Sequence, residues 1–395
     1  MIFNEAIYPL FLAVTVAVFH LLPGRARPWW LFATGLAFYA YYATAFLWLL
    51  AVEIAVVWVA GRMVRRSRAA FAAGLGATIG ALAWFKYSGM AVNTAQRVLA
   101  LLGRGGLPTF ESLYLPLALS FFTFEFVHYL IEGRRGALPE HGLGDFLAFA
   151  VFFPTMVAGP IKRFPAFLEQ LRGARLTPQD AQEGITRILV GAAKKIVLAD
   201  TLSLWIQLLL SRAGVSGTGR ADLLVALLAY GLKIYLDFSG YSDIAIGSAR
   251  LFGIRVPENF SWPYLRADIA SFWRHWHMSL TSWISDYIYR PLGGNRKGLA
   301  RTVLHTLVAF AVSGLWHGAA WHFVAWGLYH GALLCTYRVW RHVVERTGLR
   351  APERMRPLAS LAGGLLTFAL VTFGWGLFVM PVGRFGLLLA RLAGS

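Results

Sequence analysis

The sequence has little charge: only 14% of its 395 residues are Asp, Glu, Lys or Arg. It is poorer still in acids, with 19 against 37 bases. That leaves too little polar surface for a soluble or disordered chain, and it excludes a cytosolic two-domain or nucleic-acid-binding protein. The single cysteine, Cys335, excludes an intrachain disulfide and any CxxC redox or metal site. Within the apolar run LLCTYRVW it is expected to pack as a small hydrophobe. G-x-S-x-G, P-loop, dinucleotide-binding and HExxH patterns are also missing, so the commonest hydrolase, nucleotide and zinc chemistries have no motif to rest on.

What is present is apolar. AVILMFWYC residues make up 57% of the chain, about 225 side chains, which at ~20 per span supply around ten membrane helices. The formal charge of +18 then reads as cytoplasmic loops beside anionic lipid. Ile7–Leu22 reads as a retained first span. It has Asn4 and Glu5 instead of a basic leader, and Arg25 and Arg27 follow it instead of a small-residue cleavage site. Trp29–Tyr42, Phe46–Ala60, Ala69–Tyr87 and Leu113–Ile131 come next. Basic residues after alternate spans (Arg25/Arg27, Arg62–Arg68, Arg134/Arg135) place the N-terminus outside. Phe146–Ala158 is too short to cross a bilayer and reads as re-entrant or interfacial. Spans resume at Ile185–Leu210 and Leu223–Leu251. A polar, aromatic section, Arg255–Arg301, separates these from Val303–Trp316, Phe323–Trp340 and Leu358–Met380. Without repeats or linkers, residues 1–395 read as one all-α, polytopic membrane domain of about 9–12 membrane helices with re-entrant or interfacial pieces.

Polar residues inside such a chain are the informative ones, since a central Asp or Lys costs about 2.5–3.5 kcal/mol on insertion. The run YGLKIYLDFSGYSDIAIGSARLFG holds Lys233, Asp237, Asp243 and Arg250. Lys233 and Asp237 share a helix face four residues apart and can neutralise each other; Asp243 and Arg250 lie two turns apart on one face. Pairing and lining of a substrate path both remain open, with Ser239, Gly240, Tyr241 and Ser242 adding small or polar groups.

In RADIASFWRHWHMSLTSWISDYIYRPLGG, apolar residues from Ile269 to Tyr287 recur at helical spacing, with Asp268 as a candidate N-cap. On one continuous wheel His277 falls at the buried border and His275 toward polar groups or water. His317 sits in SGLWHGAAWHF, at the small-residue break between two apolar runs. It is a candidate buried base, since burial favours the neutral, proton-accepting imidazole. His322 and His330 are expected to pack or to bond across helices. Seven of the ten histidines lie between His275 and His342, but His275-x-His277 and His317-x4-His322 lack a carboxylate to complete a ligand set, so no metal or other cofactor is expected. RPLGGNRKG reads as a basic loop with no helix start behind it. Its Arg290, Arg296 and Lys297 are candidates for attracting an anionic donor.

Several of these strings together resemble the membrane-bound O-acyltransferase family, in its bacterial branch containing alginate O-acetyltransferases. They are DFSGYSDIAIGSARLFGIRVPENFSWPY, FWRHWHMSL, DYIYRPLGGNR and SGLWHG, with FKYSGM, LPLALSFFTFEFVHYLIEGRRG and FPTMVAGPIKRF ahead of them in the same order. The resemblance covers roughly residues 80 to 335 and implies a helical membrane domain around a central tunnel, in which an acyl group passes to a hydroxyl. It puts the family's catalytic histidine on His317 and its second histidine on His277, preceded by His275 where relatives often carry Arg. It departs at Glu125 and His128, and in a C-terminus that ends soon after LFVMP.

The activity so implied is transfer of an acyl group, taken as acetyl, from a cytoplasmic thioester such as acetyl-CoA. The acceptors are hydroxyls of an exported polysaccharide, reached directly or through a periplasmic acetyltransferase partner. His317 acts as general base, and His277 orients the acceptor or binds the oxyanion. Asp237, Ser239, Tyr241 and Asp243 are candidates for lining the path. The lipid bilayer is the remaining partner, nucleic acid is none, and the bacterial inner membrane is the expected location. The alternatives are a transporter of an acylated or anionic substrate without chemistry, and D-alanyl transfer to teichoic acid.

Overall fold

The computed structural model describes residues 5–104, 113–348 and 352–394. They are overwhelmingly helical and contain no strand. Five helical stretches among them are long and apolar enough to cross a membrane: Arg27–Met63, Arg68–Leu101, Arg220–Leu251, Leu299–His317 and Glu353–Val379. The protein is therefore a multi-pass helical membrane protein. Trp29–Tyr42 and Phe46–Ala60, expected as two spans, are two helices, Arg27–Ala43 and Leu47–Met63, joined by a 3-10 turn. Two other expected spans take a more broken form than their hydropathy suggests. Ile185–Leu210 is interrupted by a π-helical stretch at Ala193–Ala199. Leu113–Ile131 becomes helical only from Leu119, after Ala118 in the left-handed region.

The described residues divide into two compact units, the first from 1–192 with Tyr241–Pro257, the second from Ala193–Gly240 with Glu258–Ser395. In the first unit the expected re-entrant segment is two short buried helices, Leu143–Ala150 and Phe153–Met156. Its rings Phe146, Phe149, Phe152 and Phe153 form the aromatic centre of the core. Packed against them, Glu125 and Lys162 form a buried ion pair at 2.6 Å, and the Phe164 backbone N–H donates to His128 Nε2 at 2.9 Å.

Charges on the Arg220–Leu251 helix correct the expected pairing. Asp243 and Arg250 do not neutralise each other. Asp243 pairs with Arg187 at 2.8 Å, and Arg250 pairs with Asp180 and Glu183, all three partners on the Pro178–Ala192 helix. Seven residues along a helix is about 10 Å of rise, beyond direct contact, so a neighbouring helix supplies nearer partners. The local pair Lys233–Asp237 is present at 2.9 Å, and buried Lys195 joins it on the other carboxylate oxygen.

The second unit is built on an aromatic cluster around Phe272, Trp273, Trp276, Trp326 and Trp375. Leu299–His317 and Trp321–Thr347 form a tight helical hairpin within it. A Cβ on Gly314 would lie 2.2 Å from the Phe323 carbonyl oxygen, and one on Gly327 equally close to that of Phe310. These two glycines let the backbones meet, as small residues do in membrane helix pairs. The hairpin therefore fixes where His317, the last residue of its first helix, is held.

Candidate active site

The continuous helix expected from Ile269 to Tyr287 is absent. It is Ile269–His275, a break at Trp276 and His277, Met278–Ile284, and a π turn at Ser285–Tyr289. Asp268 does cap the first piece, accepting from the Ser271 N–H at 2.7 Å. The break has a non-local cause. The Met278 N–H donates to the Asn259 carbonyl at 2.9 Å, the Ser279 hydroxyl to Asn259 Oδ1 at 2.6 Å, and the Ser261 N–H to the His275 carbonyl at 3.1 Å. Fully buried Asn259 thus holds the start of the second piece, and His277 takes a left-handed backbone with φ 44°. A non-glycine residue seldom adopts that conformation, and when it does it commonly marks a functional position.

His277 is 2% exposed, and neither ring nitrogen has a hydrogen-bond partner among the described residues. Its edge meets Phe238, centroids 4.6 Å apart, and the His317 ring is 6.4 Å away. Burial, with the His317 imidazole adding to it, holds His277 well below the ordinary histidine pKa range. His317 is half-buried among Trp316, Trp326 and Phe378, all within 5.3 Å between centroids.

Both imidazoles line one cavity of about 310 Å³ inside the second unit. Thr306, Phe310, Ser313 and His317 face it from a single helix, at the spacing of one helical face. Ser285 and Tyr289 contribute from the π turn, a feature frequent at functional sites. Among the described residues no carboxylate lines it, and its charged residues are Arg274 and Arg338. Arg338 Nη1 donates to the Tyr289 hydroxyl at 3.0 Å and to Thr306 Oγ1 at 2.8 Å. Among the described residues no cluster of His, Cys, Asp and Glu could hold a metal ion.

Other candidate residues lie elsewhere. Asp237 is neutralised by Lys195 and Lys233, and Ser239 is buried with its hydroxyl unpartnered. Tyr241 and Asp243 belong to the first unit. None of the four lines the cavity, nor do Arg290, Arg296 and Lys297, which are exposed. Arg290 pairs with Asp286 at 2.9 Å. The basic loop differs from expectation in one respect, because a helix does start behind it, at Leu299. His275 Nδ1 donates to the Ser271 carbonyl at 2.7 Å, and His322 Nδ1 bonds the Leu377 carbonyl at 3.0 Å. Fully buried His330 is enclosed by Trp273, Trp326, Tyr329 and Trp375, and Cys335 is buried.

Asn259, Arg274 and Arg338 were not anticipated. Arg338 had a readable signal, a base in an apolar run with no acid within four residues. Asn259 had none, since its role rests on contacts with residues 19 and 20 positions away.

Comparison with known proteins places this site in context. The model of the membrane-bound O-acyltransferase family matches residues 81–368. The protein named "Probable alginate O-acetylase AlgI" from Pseudomonas aeruginosa is 34% identical over 388 residues, covering 96% of this chain and 72% of its own length. A peptidoglycan O-acetyltransferase of Helicobacter pylori is 29% identical, over 88% of this chain and 70% of its own. A teichoic acid D-alanyltransferase of Streptococcus thermophilus is 32% identical over 58% of each.

Proposed function

The chain belongs to the membrane-bound O-acyltransferase family, and from that premise we propose that it moves an acetyl group from a cytoplasmic thioester to hydroxyls of an exported polysaccharide, directly or through a periplasmic acetyltransferase. Family membership sets aside the transporter reading, since the named relatives are acyltransferases. The observation that carries the mechanism is the pair of imidazoles, 6.4 Å apart and facing one cavity.

His317 acts as the general base. It takes the acceptor hydroxyl proton as that oxygen bonds to the acyl carbon. The C–S bond then breaks, and the leaving thiolate recovers the proton from the His317 imidazolium. Such catalysis is worth ~10²–10⁴-fold. The resting His277 is neutral and unpartnered, with a ring N–H available to the acceptor or to the oxygen that gains charge in the tetrahedral intermediate. A setting walled by Trp316, Trp326, Phe378 and Phe238 strengthens both interactions by excluding water. The cell location that suits a cytoplasmic donor and an exported acceptor is the bacterial inner membrane.

Mass spectrometry of envelope polysaccharides tests this reading. Strains carrying the wild-type chain should contain O-acetylated glycan, and strains carrying His317→Ala at equal membrane abundance should lack it. Unchanged O-acetylation in the variant would overturn the assignment.

A further inference from the structure

The cavity is long as well as reactive. Thr306 and His317 both line it from the Leu299–His317 helix, eleven positions apart, which is about 16 Å of rise. At the Thr306 end stands Arg338, half-buried, with no carboxylate partner among the described residues. Its Nη1 is committed to Tyr289 and Thr306, and its guanidinium also lies against the Tyr289 ring, 5.6 Å from the centroid. Nε and Nη2 make no hydrogen bond among the described residues, so a guanidinium fixed by its neighbours keeps one edge of donors unused there. That edge suits an oxyanion accepting two parallel hydrogen bonds. Arg274 lines the same cavity, and with no acid on its wall the space favours an anion throughout.

We infer that Arg338 binds a phosphate of the acyl donor and so sets the distance from that phosphate to the thioester at His317. This rests on the acyl-transfer reading above. The spacing selects the chemistry: an extended chain covers about 3.5 Å per three atoms, so 16 Å needs a linker of roughly fourteen. A phosphopantetheine arm has about that many atoms between phosphate and sulfur. The same end of the helix follows the basic turn of Arg290, Arg296 and Lys297, the side from which a cytoplasmic donor is expected. Arg338 is thus a donor-binding residue that determines specificity, while the loop bases serve at most to attract.

The test is equilibrium binding to the purified full chain of three probes, coenzyme A, 4′-phosphopantetheine and unphosphorylated pantetheine, with acetyl transfer from their S-acetyl forms measured alongside. The wild type should bind the phosphorylated probes more tightly than pantetheine. Arg338→Gln, which keeps an N–H for Tyr289 and Thr306, should erase that preference, a loss of roughly ten- to a hundredfold for a charged hydrogen-bond pair. KM for acetyl-CoA should rise with kcat little changed, and kinetics with S-acetylpantetheine should stay as in the wild type, which also shows that the variant folds. Arg338→Lys should restore part of the preference. Equal gains for both phosphorylated probes place the recognition at the arm's own phosphate, whereas a gain for coenzyme A alone moves it to the nucleotide phosphates and overturns the distance argument.

The inference also fails if the wild type does not discriminate, if Arg338→Gln weakens all three probes equally, or if a uronic-acid oligosaccharide rather than a phosphate loses affinity. His317→Ala separates the two readings. It should bind coenzyme A normally while transferring nothing, so a failure of the base assignment leaves the binding result standing, and the reverse.

Discussion

The two units treat their buried polar groups differently. In the first, Glu125 is matched by Lys162, Asp243 by Arg187, and Arg250 by Asp180 and Glu183. Of the buried acids there, Glu53 is the one without a partner among the described residues. Around the cavity of the second unit, among the described residues, His277 has no hydrogen-bond partner and Arg338 no acid. Burying polar groups costs free energy wherever it occurs. Where the cost is offset by pairing, the residue holds helices together; where it is left open beside a cavity, the group is available to a substrate.

That contrast can be broken from either side. Lys162→Met leaves Glu125 buried without a partner and should lower stability by about 3–5 kcal/mol, whereas adding Glu125→Gln should recover most of it, because a neutral pair needs no compensation. Thermal unfolding in detergent checks both, and activity should follow the amount of folded protein. His277→Asn should do the reverse, since asparagine tolerates the left-handed backbone. The fold should persist while kcat falls by about 10²–10³, the usual loss of one donor to a developing oxyanion. A comparable drop in melting temperature would make His277 a structural residue instead.

Smaller effects sharpen where the site is held. Gly314→Ala forces a methyl group against the Phe323 carbonyl, and overpacking of this kind costs about 1–3 kcal/mol. It should also shift His317 and reduce kcat in protein that remains folded, seen by comparing unfolding with single-turnover rates. Ser279→Ala removes one bond to Asn259 and should cost about 1 kcal/mol, with kcat lowered only as far as the His277 break is loosened.

Much of this was legible in the sequence wherever the cause is local. Hydropathy established a helical membrane chain. The i,i+4 spacing of Lys233 and Asp237, the Asp268 cap and the break at His317, where the helix ends before Gly318, all appear as read. Non-local causes were hidden. A wheel drawn through His277 assumes an unbroken helix, and contacts with Asn259 and Ser261, brought in by folding, hold the break there. The partners of Asp243 and Arg250 sit on a separate helix. The bases of RPLGGNRKG are exposed, and the bases that line the cavity, Arg274 and Arg338, lie outside that loop in the sequence.

The most direct measurement is single-turnover transfer of a labelled acetyl group from acetyl-CoA to a polysaccharide hydroxyl acceptor, by purified wild type and His317→Ala in the same lipid. With unfolding temperatures matched, the variant should be slower by at least ~10². A rate within a few-fold of wild type would contradict His317 as the base and remove this cavity as the place of transfer.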